Sequence, residues 1–94
     1  MNLRDIKKDI EFFVGAFIDD CSLFLEIKPE ADAPAITDLI DKAVDLYNDI
    51  REKISKPEGN KKAFYNGLRE EMLKNLDSLY EQLSEIIKSS AKAS

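Results

Sequence analysis

Two proline-bearing breaks decide what this chain can fold into: KPEADAP at Lys28 to Pro34, and SKPEGN at Ser55 to Asn60. Proline cannot continue a helix interior, because it lacks an N–H and its ring clashes with the preceding turn. The Gly and Asn of the second break suit a helix end followed by a new cap. Three segments remain. None alternates with period two, and the one Asn-Gly pair, Asn66-Gly67, sits inside a helical pattern rather than between β-branched runs. No strand is expected.

In the first segment, Leu3, Ile6, Ile10, Phe13, Val14, Phe17, Cys21, Phe24 and Leu25 fall within an arc of about 120° at about 100° per residue. The second starts at Asp32 as N-cap with Pro34 in the first turn, and spaces Ile36, Ile40, Ala43, Tyr47, Ile50 and Ile54 alternately by four and three. Leu39, Val44 and Leu46 widen that stripe. The third carries Tyr65, Met72, Leu76, Leu79, Leu83 and Ile86, flanked by Leu68, Leu73, Tyr80 and Ile87. Short connections make sequential helices neighbours. The expected fold is all-α: an antiparallel up-down-up three-helix bundle, one domain over residues 1–94, with helices at about 3–27, 33–55 and 60–89 and a frayed tail at 90–94.

Composition agrees. Of the 94 residues, 44% are hydrophobic and 35% charged, which is enough apolar surface for one small core and too much for a disordered chain. The single cysteine cannot form an intramolecular disulfide, so a cytoplasmic location is expected. The N-terminal run MNLRDIKKDIEFFVGAF is only superficially signal-like, because Asp5, Asp9 and Glu11 intrude and no small-residue cleavage site follows. Asp19 and Asp20 argue against a lipid-attachment site at FIDDC. They also cut the apolar run well short of the ~20 residues that a membrane span needs, so no membrane association is expected.

Histidine is absent. With it go the commonest general base and every Ser-His-Asp, Cys-His and Glu-x-x-His arrangement. Gly15, Gly59 and Gly67 are isolated and form no phosphate-cradling loop. Cys21 lies inside the apolar arc with no basic residue at helical contact spacing, which describes an inert buried thiol rather than a nucleophile. Asp19 and Asp20 point about 100° apart and cannot share a proton as a dyad; solvated acids are the simpler reading, the alternative being that Asp20, which borders the core stripe, bonds a hydroxyl or amine on another helix. Asp38, Asp41, Asp45, Asp49 and Glu52 form a ladder on one face, but Lys42 and Lys53 stand four residues after Asp38 and Asp49 as ordinary ion-pair partners. A solvated face is the simpler account. No enzyme activity, metal or cofactor is expected.

Two surfaces remain for a partner. Glu11 to Ile27, EFFVGAFIDDCSLFLEI, has 11 apolar residues of 17, including four of the chain's five phenylalanines. Phe12 and Leu23 lie about 200° and 220° round the helix from Ile10, with Ala16 and Ile27 beside them, a second stripe opposite the core. Three arrangements would cover it: a wide arc buried between both neighbouring helices, a second copy of the chain, or another protein docked helix-in-groove. The leading expectation is a homo-oligomer or a protein partner anchored on Phe12, Ala16, Leu23 and Ile27.

The rival surface is basic. Residues 1–14 and 48–69 hold nine basic against six acidic residues, net +3, whereas the remainder holds five against thirteen, net −8. In an up-down-up bundle the first group shares one end. Lys7, Lys8, Lys61, Lys62 and Arg69 could there bind an anionic partner, although nucleic acid is an unfavourable general partner for a chain of net charge −5.

Overall fold

A computed structural model describes residues 2–28 and 32–93, with side chains as far as Ser89. It contains three helices, α1 (Leu3–Ile27), α2 (Ala33–Ile54) and α3 (Lys61–Ala93), and each packs on both others. Among the described residues there is no strand. The all-α, three-helix reading holds. α3 continues past Ser89, where the periodicity ends; the side chains of residues 90–93, and Ser94, lie outside the described set, as does the fraying expected of them.

Two of the caps, Asp32 and Asn60, stand where the sequence breaks point, and Asn2 is a third that the sequence reading does not single out. Asn2 opens α1, its Oδ1 accepting from the Asp5 N–H at 2.9 Å, and Asp32 opens α2, accepting from the Ala35 N–H at 3.2 Å. Asn60 does the same for α3 with the Ala63 N–H at 3.1 Å. Each short polar side chain satisfies one of the four N–H groups that a helix start leaves without a partner. Gly59 precedes the Asn60 cap at φ 65°, in the left-handed region where a side chain would be strained, and this ends the SKPEGN turn. Pro29, Glu30 and Ala31 of the first break are not described.

The core is a column of side chains from all three helices. α1 contributes Ile6, Ile10, Val14, Phe17 and Cys21; α2 contributes Ile36, Leu39, Ala43, Ile50 and Ile54; α3 contributes Tyr65, Leu68, Met72, Leu76, Leu79 and Leu83. Spacings of three and four keep each set on one side of its helix. Several positions depart from the expected stripes. Leu3 is exposed in the first turn of α1, and Ile40 and Tyr47 are only partly buried while Leu39 takes a central place. Val44 is exposed as well, at a shallow hollow that it borders with Glu11, Val14, Gly15, Ile18 and Tyr47.

Polar contacts join the helices around this column. Arg69 Nε donates to Asp9 Oδ2 at 2.9 Å, linking α3 to α1, and Tyr80 Oη donates to Asp20 Oδ2 at 2.9 Å farther along the same pair. Lys53 Nζ reaches Glu71 Oε1 at 3.0 Å and Lys42 Nζ reaches Gln82 Oε1 at 3.2 Å, linking α2 to α3. Among the described residues no buried side-chain N or O lacks a partner.

Candidate functional site

The outer stripe of α1 stays bare within one chain. Phe12 is 70% exposed, Leu23 54% and Ile27 67%, whereas the core residues of the same helix are at most 2% exposed. Of the three arrangements expected from the sequence, burial between neighbouring helices is therefore excluded for these residues. Ala16 is partly exposed between them.

The four residues share a line but not a pocket. Leu23 and Ile27 border an open groove of about 390 Å³ between the second half of α1 and α3, lined also by Asp20, Phe24, Tyr80, Leu83, Ser84 and Ile87. Phe12 stands about 16 Å along the helix from Leu23. Its only ring partner among the described residues is Phe13, met edge-on at 5.3 Å between centroids. Tyr80 and Ile87, read from sequence as flanks of the α3 core stripe, are exposed and form the far wall of the groove. Their half-apolar positions looked like core margins; the groove needs two helices side by side, and no single periodicity encodes that.

The polar rim of this groove is the Tyr80–Asp20 pair. The Tyr80 ring meets Phe17 edge-on at 4.8 Å, which holds its hydroxyl over Asp20, so that carboxylate takes the interhelical bond that was the alternative to simple solvation. Burial first, and the hydrogen bond to Asp20 second, push the Tyr80 hydroxyl up to about 12. Burial, and then the neighbouring Asp20 charge, push the Cys21 thiol up to about 11. A thiolate nucleophile needs the opposite environment. Cys21 is a small core residue.

The basic residues divide into two sets. Arg69 is occupied: beyond its Asp9 bond, its guanidinium lies 5.7 Å from the Phe13 ring centroid. Arg51 donates to the Tyr47 hydroxyl at 2.8 Å with Glu11 at 4.0 Å, and Lys53 pairs with both Asp49 at 3.1 Å and Glu71 at 3.0 Å. Hydrogen bonds donated to Glu71, then to Asp49, raise the Lys53 pKa. By contrast Lys7, Lys8, Lys61 and Lys62 are exposed, and among the described residues none has a carboxylate within ion-pair distance. The structure thus separates Arg69 from the four lysines with which the sequence grouped it.

The α2 acid ladder is tied down in part by its own lysines, Asp38 to Lys42 at 3.2 Å and Asp49 to Lys53 at 3.1 Å. Among the described residues no three His, Cys, Asp or Glu gather as a metal site, and no helix is long and apolar enough to cross a membrane. What the surface offers chemically is apolar contact with a polar rim at one place and unpaired ammonium groups at another. No family model, curated protein or solved structure matches the chain.

Proposed function

We propose that this chain is a small non-catalytic helical interaction module, which self-associates or docks a protein partner through the outer face of α1. The observation that carries the reading is the exposure of Phe12, Leu23 and Ile27 on one line of one helix, continued by Tyr80 and Ile87 across the groove. Large apolar side chains scattered singly over a surface are ordinary, but an aligned set rimmed by polar groups marks an interaction surface. The up-down-up arrangement belongs to the same proposal. It is supported by contacts that keep register along α1 and α3, Asp9 with Arg69 and Asp20 with Tyr80, and reverse it between α2 and α3, Lys53 with Glu71 and Lys42 with Gln82. A buried lone thiol suits a reducing, cytoplasmic setting.

Sedimentation equilibrium of the unmodified chain and of Leu23→Asp tests this. A mass above that of one chain, falling to the monomer in the variant while circular dichroism stays helical, supports self-association. A monomer at every concentration rejects it, and recovery of a partner by the unmodified chain but not by Leu23→Asp then supports docking.

The second reading is an anion-binding module at the basic end, supported by the unpaired state of Lys7, Lys8, Lys61 and Lys62. Binding to an acidic partner that weakens steeply with salt, and is lost in Lys61→Glu/Lys62→Glu, is the expected result. Unchanged affinity in that variant counts against it.

A further inference from the structure

The two walls of the groove between α1 and α3 repeat one spacing. On each helix the lining residues stand at i, i+3, i+4 and i+7, beginning at Asp20 in α1 and at Tyr80 in α3, whose side chains are hydrogen-bonded to each other. The groove therefore runs lengthwise between the helices for about two turns. That selects the form of an occupant. An extended peptide finds no sheet edge here to take up its N–H and C=O groups, whereas a helix arrives with its backbone paired and offers apolar side chains at the matching i, i+3 or i+4, i+7 spacing. A helix seated there turns three packed helices into a four-helix arrangement.

Charge selects its composition. From Asp9 and Arg69 to Asp20 and Tyr80 both helices advance by eleven residues, so the same seam carries an ion pair in its first half and a carboxylate without a counter-charge in its second. Tyr80 supplies a hydrogen bond but no charge. On the α1 rim Asp19 and Glu26 stand one turn before and one turn after Leu23, and on the α3 rim Asp77 and Glu81 stand three residues before Tyr80 and Ser84. All four are exposed, and among the described residues neither they nor Asp20 has a cation within ion-pair distance. The nearest cations in sequence are Lys74, three residues before Asp77 but not paired with it, and Lys28 and Lys88, which follow Ile27 and Ile87 at the far end. Elsewhere the seams pair their acids, Glu11 with Arg51 and Glu71 with Lys53.

From this apolar floor between rims of one sign we infer that the occupant of the groove is a basic amphipathic helix of another protein. Its apolar residues lie against Leu23, Ile27 and Ile87, and its lysines or arginines lie over Asp19, Glu26, Asp77 and Glu81. A second copy of this chain fits poorly, because its own outer face brings the same carboxylates to the contact.

The assignment rests on the docking half of the proposed function, and the tests separate the two. The probe is a fluorescein-labelled synthetic helix of about 18 residues, with leucine along one stripe and lysine on both flanks, titrated with the full chain and followed by anisotropy. Two companions replace every lysine by glutamate or every leucine by glutamine. The lysine–leucine helix should bind in the micromolar range, about tenfold tighter than either companion, and more weakly as salt is raised. Asp19→Asn/Glu81→Gln should weaken it several-fold. Leu23→Asp should weaken it about tenfold, although the added negative charge would strengthen a contact made by charge alone. Asp41→Asn/Asp45→Asn, on the acid ladder of α2, should leave it unchanged. Equal weakening by both acidic pairs, no weakening by Asp19→Asn/Glu81→Gln, or equal binding of the glutamate companion overturns the basic partner; apolar docking stands if Leu23→Asp still abolishes binding. No binding of the lysine–leucine helix up to about 1 mM overturns the inference outright, and a dimer that Leu23→Asp dissociates then makes a second copy the occupant. Docking on this face falls as well only where Leu23→Asp changes neither peptide binding nor partner recovery.

Discussion

The two stripes of α1 are built from the same residue types on the same helix, and they meet opposite fates. Ile6, Ile10, Val14, Phe17 and Cys21 disappear between α2 and α3, while Phe12, Leu23 and Ile27 face outward. A phenylalanine at position 17 and one at position 12 differ in what lies across from them. Phe17 meets the Tyr80 ring and the core; among the described residues the one ring that Phe12 meets is its neighbour Phe13. Hydrophobicity is thus a property of the side chain, but its contribution to stability is a property of the packing partner.

The sharpest way to break this comparison is to truncate one phenylalanine on each face. Phe17→Ala should cost about 3–5 kcal/mol, losing both transfer energy and packing around the cavity left behind. Phe12→Ala should change the stability of the isolated chain by less than about 0.5 kcal/mol, since little of its surface is buried. Urea unfolding at low protein concentration measures both. A Phe12→Ala cost near that of Phe17→Ala would show the outer stripe to be core.

A second test uses the buried thiol as a probe of the inner face. Cys21 is raised from its ordinary value of 9.0 to about 11 in the folded chain. Above pH 9 the unfolded chain releases a proton that the folded chain keeps, so stability present below pH 9 is lost as pH climbs towards 11. The loss is on the order of 2 kcal/mol. Tyr80, raised from 10.0 to about 12, extends the decline beyond it. Urea midpoints taken from pH 8 to 11 should fall steadily, and Cys21→Ala should flatten the part between 9 and 10, below the onset of the Tyr80 contribution. An equal slope in that variant would refute burial of the thiol as the cause.

Tyr80→Phe should cost about 1 kcal/mol, the net value of one hydrogen bond, while keeping the ring against Phe17. It also removes the polar rim of the groove. The smallest expected effect is a gain. Gly15 sits in α1 with nothing within 4 Å of where a Cβ would stand, so Gly15→Ala should stabilise the helix by up to about 1 kcal/mol. Thermal unfolding would register either change, and a destabilised Gly15→Ala chain would mean that the hollow beside Val44 closes in solution.

Much of this molecule was legible in the chain, and for local reasons. Pro34 with Asp32, and Gly59 with Asn60, mark helix boundaries through backbone chemistry that needs no distant partner. The i to i+4 pairs of Asp38 with Lys42 and Asp49 with Lys53 follow from helical spacing alone. So does the placing of Phe12 and Leu23 opposite Ile10. Cys21 could be read as core because its helical neighbours at three and four residues are apolar.

What the sequence by itself determined, then, was the helices, their caps and the two apolar lines along α1, because these depend on interactions within a few residues. Only the tertiary structure decided which line is buried, that Leu23 and Ile27 border a groove shared with Tyr80 and Ile87, and that Arg69 is paired with Asp9 while the lysines are not. Those outcomes depend on which side chain arrives from another helix about sixty positions away, and periodicity along one helix carries no information about the rotation and offset of its neighbour.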